Sequence, residues 1–119
     1  MISIPFEIDE IHGGLSEAKG VLRLEDEFLV FQVQTITLGM FKQDPELIKI
    51  EIAALEEIRF EKKLVSDRIY IRPKKLQLLD VMPGKHGIEV ALKIKRKNRT
   101  RALILVDAVR REIMNRKLT

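Results

Sequence analysis

The chain reads as mainly β: about seven antiparallel strands closed by one C-terminal α-helix. Three observations predict this. Apolar residues alternate with polar ones in short runs, clearest at Ile48, Ile50 and Ile52, at Ile58 and Phe60, and at Ile88, Val90, Leu92 and Ile94. That is the period of a half-buried strand. Turn signals built on Gly, Pro and Asp separate the runs. Only near the end does the spacing change, with Ala102, Val106, Val109 and Ile113 recurring at helical intervals.

In chain order, the first strand is Ile2 to Ile8, with Ile4, Phe6 and Ile8 on one face. Pro5 marks it as an edge, where a missing N–H does no harm. His12-Gly13-Gly14 is a turn, Leu15 to Lys19 a helical turn or loop, and Gly20 punctuates it. Val21–Glu25 and Phe28–Gln34 form a hairpin about the acidic tip Glu25-Asp26-Glu27, with Leu29, Phe31 and Val33 facing one side. Residues 35–47 are irregular, with a Pro-preset turn at Asp44-Pro45-Glu46. Just before it, Leu38, Met40 and Phe41 form an apolar loop patch, folded onto the core or offered to a partner. Ile48–Ile52 is a strand, Ala53–Glu56 a corner, and the strand through Ile58 and Phe60 ends near Lys63. Ser66-Asp67 is a turn. Ile69 and Ile71 are the core face of a sixth strand, an edge open to assembly. Pro73 breaks or bulges that strand, and Leu76–Val81 is read as its second arm. The loop 82–87 leads to a last strand, 88–95, and a basic turn, Arg96-Lys97-Asn98-Arg99. Two readings of Ala102–Val106 stay open. It begins a helix capped by Thr100, or it pairs back on 88–95 as a strand and leaves a shorter helix from Asp107.

A chain of 119 residues is one domain, spanning 1–119, with enough interior to fold without metal or disulfide support. Hydrophobic residues at 45% and charged residues at 34% describe a folded, soluble chain. The lack of cysteine excludes a disulfide framework, a thiol nucleophile and thiolate metal sites, and suits the cytoplasm. No leader is expected from the acidic first ten residues, and no apolar run is long enough for a membrane span. The net charge of +4 is unevenly spread: residues 88–119 hold ten Lys/Arg against three Asp/Glu, whereas the first 27 hold two against seven. Two readings of this asymmetry compete: a polyanion-binding face, or internal and head-to-tail charge complementarity.

No catalytic set emerges, and the chain is read as non-enzymatic. His12 and His86 are the only imidazoles and lack metal-ligand spacing. Ser66 lacks the glycines of a nucleophile elbow, and Gly84-Lys85-His86-Gly87 lacks the spacing of a phosphate loop. Adjacent Glu56 and Glu57 point apart in a strand or corner. No cofactor is implied. The run 93–101 holds six basic residues in nine and would neutralise several phosphates. Only Lys93 and Lys95 share a strand face, however, and no aromatic residue interleaves for base stacking, so nucleic acid is not the expected partner.

Ile4-Pro5-Phe6-Glu7-Ile8-Asp9, the run Gly13 to Leu24, the strand and corner Ile48 to Ile58, Pro83-Gly84 and the segment Arg99 to Val106 together resemble small standalone bacterial PH-like (pleckstrin homology-like, GRAM-related) proteins of uncharacterised function. The resemblance spans nearly the whole chain. It implies a partial barrel of two near-orthogonal sheets, of four and three strands, with the terminal helix closing one corner. It implies a lipid site at the opposite end, in loops after the first, third and sixth strands. Those loops here mix His12, Lys19, Lys42, Lys85 and His86 with Glu10, Glu17, Asp44 and Glu46. The expected function is a cytoplasmic protein-binding or self-assembling module. The alternative is peripheral binding to anionic membrane lipids through Lys93, Lys95, Arg96, Lys97, Arg99 and Arg101, with Leu38, Met40 and Phe41 as an apolar anchor.

Overall fold

The computed structural model describes residues 2–11, 16–37, 40–41, 45–82 and 85–118, with backbone alone at 10, 11, 16, 37, 40, 41 and 86. Among them lie nine strands and one α-helix: β1 (Ser3–Ile11), β2 (Ser16–Glu25), β3 (Phe28–Thr37), β4 (Met40–Phe41), β5 (Glu46–Glu51), β6 (Leu55–Glu61), β7 (Asp67–Pro73), β8 (Lys85–His86), β9 (Glu89–Ile94) and α1 (Arg99–Leu118). Every pairing is antiparallel. Seven strands form one hydrogen-bonded path, β4-β3-β2-β1-β9-β7-β6. β5 lies beside β4 along the same margin of β3, and β8 folds back on β9.

The path must curl. β5 and β6 lie at its two ends, yet only the 3-10 turn Ile52–Ala54 joins them. Four peptide units reach about 14 Å at most, whereas six strand spacings in a flat sheet separate the ends by about 29 Å. The corner is pinned by Ile52 N–H donating to the Glu27 carbonyl and Lys74 N–H to the Ala54 carbonyl, both 2.9 Å. Midway along the path, β1 and β9 meet through the single pair Glu7 and Lys93. This narrow seam divides the first strands from the last.

The concave side is apolar. Ile4, Phe6 and Ile8 of β1, Ala18 and Leu22 of β2, Leu29, Phe31 and Val33 of β3, Ile69 and Ile71 of β7, and Val90, Leu92 and Ile94 of β9 are all buried in one cluster. The alternation seen in the sequence is thus a core face. Phe6 and Phe31 meet edge to face at 6.3 Å, a favoured arrangement of the two ring quadrupoles. α1 covers the corner with Ala102, Leu105, Val106, Val109 and Ile113. Each of the larger side chains contributes about 2 kcal/mol by leaving water. These positions decide the open question at 102–106. A strand would hide Ile104 with Ala102 and Val106, but Leu105 is buried and Ile104 is half exposed.

Several elements differ from expectation. Ser16–Lys19 belongs to β2 rather than to a turn or loop, and Gly20 lies inside that strand. A Cβ there would sit 2.2 Å from the Gln32 carbonyl oxygen and 2.7 Å from the Phe6 ring, so the glycine serves close approach. Pro5 lies in an inner strand. It is tolerated because β9 pairs with β1 only at Glu7, leaving Pro5 a strand partner on the β2 side alone. β7 is flanked by β6 and β9 and offers no edge. Leu76–Val81 is a 3-10 helix, and the irregularity near Pro73 is a register shift opposite Leu55 and Glu57. Asp67 starts β7 rather than ending a turn, Ile88 is an exposed turn residue, and Thr100 lies within α1 rather than capping it. The hairpin tip is as expected, a two-residue turn with Asp26 at φ 51°.

Candidate functional site

The basic run 93–101 is the surface feature that the sequence singles out, and most of it is tied to the protein's own acids and carbonyls. Lys93 and Lys95 point outward because Val90, Leu92 and Ile94 point in. They reach across the seam to β1, Lys93 to Asp9 at 3.3 Å and Lys95 to Glu7 at 3.6 Å. After β9, a 3-10 turn at Arg96–Asn98 carries the chain into α1. Arg101 donates to the Ser3 carbonyl at 3.1 Å and to Asn98 Oδ1 at 2.7 Å. At the far end of α1, Arg116 pairs with Glu27 and Lys117 with Glu56. The acidic start and basic end of the chain therefore neutralise one another across the fold. Exposed pairs of this kind contribute little individually.

Arg99 has a different role. Its Nε and Nη2 both donate at 2.8 Å to the two carboxylate oxygens of Asp67, whose side chain has no exposed surface. Arg99's bidentate hydrogen bonds hold the Asp67 carboxyl below its usual range against the opposing effect of burial. The Lys63 N–H and the charge of Arg96 act in the same direction. The same pairing raises the Arg99 guanidinium. Asp67 thus fastens the start of α1 and the β6–β7 loop at one point.

Arg96 completes that fastening. Its guanidinium donates to the main-chain oxygens of Lys63 and Leu64. The contact neutralises no charge, since both acceptors are carbonyls. It sets Arg96 and its neighbour Lys97 beside Lys62-Lys63-Leu64-Val65, a tip that the sequence reading passed over. Leu64 is 88% exposed and Val65 is 82% exposed. Lys63 pairs with Glu61 at 3.2 Å, which raises its ammonium and lowers the Glu61 carboxyl. Among the described residues Lys62 and Lys97 have no acidic partner. One signal was present in the sequence: two apolar residues follow two lysines after the strand alternation has ended.

The apolar loop candidate is only partly visible. Leu38 lies outside the described residues, and Met40 and Phe41 form β4 through backbone pairing with Thr37 and Ile36. Lys19 and Lys85 are exposed and well separated in the pairing pattern; His12, Lys42 and the side chain of His86 lie outside the description. Among the described residues no group of acids and imidazoles is placed to hold a metal ion, and no helix is long and apolar enough to cross a membrane. A small apolar hollow of about 10 Å³ lies under the 3-10 helix 76–81, lined by Phe31, Ile50, Leu55, Ile71, Leu79 and Val90 among others. It holds about one water at most. Comparison with protein-family models, with curated proteins and with solved structures finds no match for the chain.

Proposed function

We propose that this chain is a non-catalytic PH-like interaction module that assembles with a second copy of itself through the outer face of α1. One observation carries the assembly. Ile104, Asp107, Arg111, Met114 and Leu118 are all exposed and recur at intervals of three and four residues, the spacing of a helix-pairing seam. The pattern is self-complementary when two copies run antiparallel. Ile104 of each then meets Met114 of the other, and Asp107 meets Arg111, over about 15 Å of axis. Within one chain, Arg111 already bonds Asp107, so both charges stand on the outer face. The same patch faces itself in such an isologous contact.

The PH-like part of the reading is supported by strand order. Sequential antiparallel strands form the first half and β6, β7 and β9 the second. They meet at one pair, and a terminal helix lies over the corner. Two near-orthogonal sheets are the finer interpretation of that single-pair seam. Lipid binding through the whole run 93–101 is less favoured, because Lys93, Lys95 and Arg99 already pair with acids and Arg101 is turned onto the Ser3 carbonyl and Asn98, which leaves Arg96 and Lys97 as the cations of the run beside the β6–β7 loop without an acidic partner among the described residues.

Analytical ultracentrifugation tests the assembly. Wild-type protein should dimerise, and Ile104→Glu or Met114→Glu should leave monomers. Asp107→Arg and Arg111→Asp should each weaken the dimer about thirtyfold, the effect of two like-charge contacts near 1 kcal/mol each. Mixing those two variants should restore dimers, since each cross-pair again joins opposite charges. A wild-type monomer at high concentration, or dimers indifferent to all four changes, would refute the proposal.

A further inference from the structure

We infer that the β6–β7 tip is a membrane-surface contact, in which Leu64 and Val65 enter the headgroup boundary of an anionic bilayer while Lys62, Lys63, Arg96 and Lys97 meet its phosphates. This goes beyond self-assembly and uses a different part of the surface.

Three observations converge on it. First, Leu64 and Val65 are the most exposed large apolar side chains among the described residues, at 88% and 82%. They stand side by side on a loop tip, where no neighbouring strand shields them. Second, the fold brings cations from two distant segments to the same place. Lys62 and Lys63 precede the tip, and Arg96 is joined to it by donating to the Lys63 and Leu64 carbonyls; Lys97 adjoins Arg96. The flanking acids are Glu61, paired with Lys63, and buried Asp67, paired with Arg99, so Lys62, Arg96 and Lys97 leave the surroundings positive overall. Third, the tip is held rigid from below. Buried Asp67 takes both Arg99 donors and the Lys63 N–H. The apolar pair is therefore presented on a fixed base, and little ordering is needed on contact.

This combination fits an anionic bilayer better than a protein groove or a soluble polyanion. A bilayer interface takes apolar side chains a short way into its surface while its anionic headgroups attract the flanking cations. A soluble polyanion has no use for Leu64 and Val65.

Sedimentation of full-length protein with vesicles tests the inference. At low salt the protein should pellet with vesicles of equal parts phosphatidylcholine and phosphatidylglycerol, stay free of pure phosphatidylcholine, and be released by high salt. Lys62→Glu with Lys97→Glu should weaken binding at least about 25-fold, taking roughly fivefold for each cation lost near an anionic surface. Lys19→Glu with Lys85→Glu should leave it unchanged. Leu64→Ser with Val65→Ser should weaken it about tenfold with unaltered circular dichroism, because neither side chain packs in the core. The chain has no tryptophan, so Val65→Trp supplies a single reporter whose emission should shift to the blue on mixed vesicles. Ile104→Glu should still pellet with the mixed vesicles and stay free of pure phosphatidylcholine, which separates this contact from self-association. Equal binding to both vesicle types would overturn the inference. So would an unshifted reporter, or binding that depends on the cations but not on Leu64 and Val65; the last result would describe a soluble-polyanion patch.

Discussion

Asp67 and Arg99 decide how the basic turn behaves. The carboxylate is fully buried and the guanidinium about a third exposed, so the pair is asymmetric. Taking away Arg99 strands a charge in the interior; taking away Asp67 leaves one that can still reach water. Arg99→Met should therefore cost about 3 kcal/mol at neutral pH, the lower end for breaking a buried pair, and Asp67→Ala less. The folded carboxyl lies below its unfolded value. Its stabilisation is thus complete above the unfolded pKa of about 3.9 and is lost as pH falls through the folded one. In Arg99→Met the sign reverses. The unpaired carboxyl resists ionising, so the penalty shrinks on acidification. Urea unfolding of both proteins from pH 7 down to pH 3 should show the two stabilities converging; a gap independent of pH would remove the charge from the explanation.

At the scale of elements, β2 shows what pattern reading captures and what it misses. Its hairpin with β3 about Glu25-Asp26-Glu27 is legible from the sequence, yet Gly20 reads there as a stop signal. Glycine marks both a chain break and a close approach, and only the position of Phe6 and Gln32 on the neighbouring strands tells them apart. Gly20→Ala should cost about 3 kcal/mol, the upper end for overpacking, because one clashing atom is backbone and cannot turn aside. Thermal unfolding checks it, and an unchanged midpoint would mean that β2 and β3 can separate freely. α1 was more legible, since Ala102, Val106, Val109 and Ile113 all lie on its buried face. Its outer heptad was missed because Asp107 and Arg111 hide the apolar spacing of Ile104, Met114 and Leu118. Leu76–Val81 was misread as a strand because six residues of mixed polarity do not separate a 3-10 helix from a short strand.

For the whole molecule, the legible part was the class and the succession of the longer strands and the terminal helix, whereas the short strands β4 and β8 and the 3-10 helix 76–81 were not; the rest of the illegible part was convergence. Each hairpin can be read locally. That Arg96 would meet Leu64, or Arg99 Asp67, depends on how the sheet curls, and periodicity carries no such information. The narrow seam between β1 and β9 has a further consequence, in the order of folding events. β1, β2, β3 and β5 are neighbours in sequence and pair with short closures, as do β6 and β7, so each half can condense from contacts that cost little loop entropy. The halves share one strand pair, closed across the chain from Glu7 to Lys93, and α1, the C-terminal segment, is expected to dock last. Leu105→Ala should then cost about 3 kcal/mol almost wholly as faster unfolding, while Leu22→Ala should slow folding itself. Stopped-flow chevrons distinguish the two, and a folding limb slowed by Leu105→Ala would place the helix in the nucleus. With the expected outcome, the barrier is crossed by a chain whose terminal helix is still undocked, so the protein commits to its fold before its basic end has found its acidic beginning.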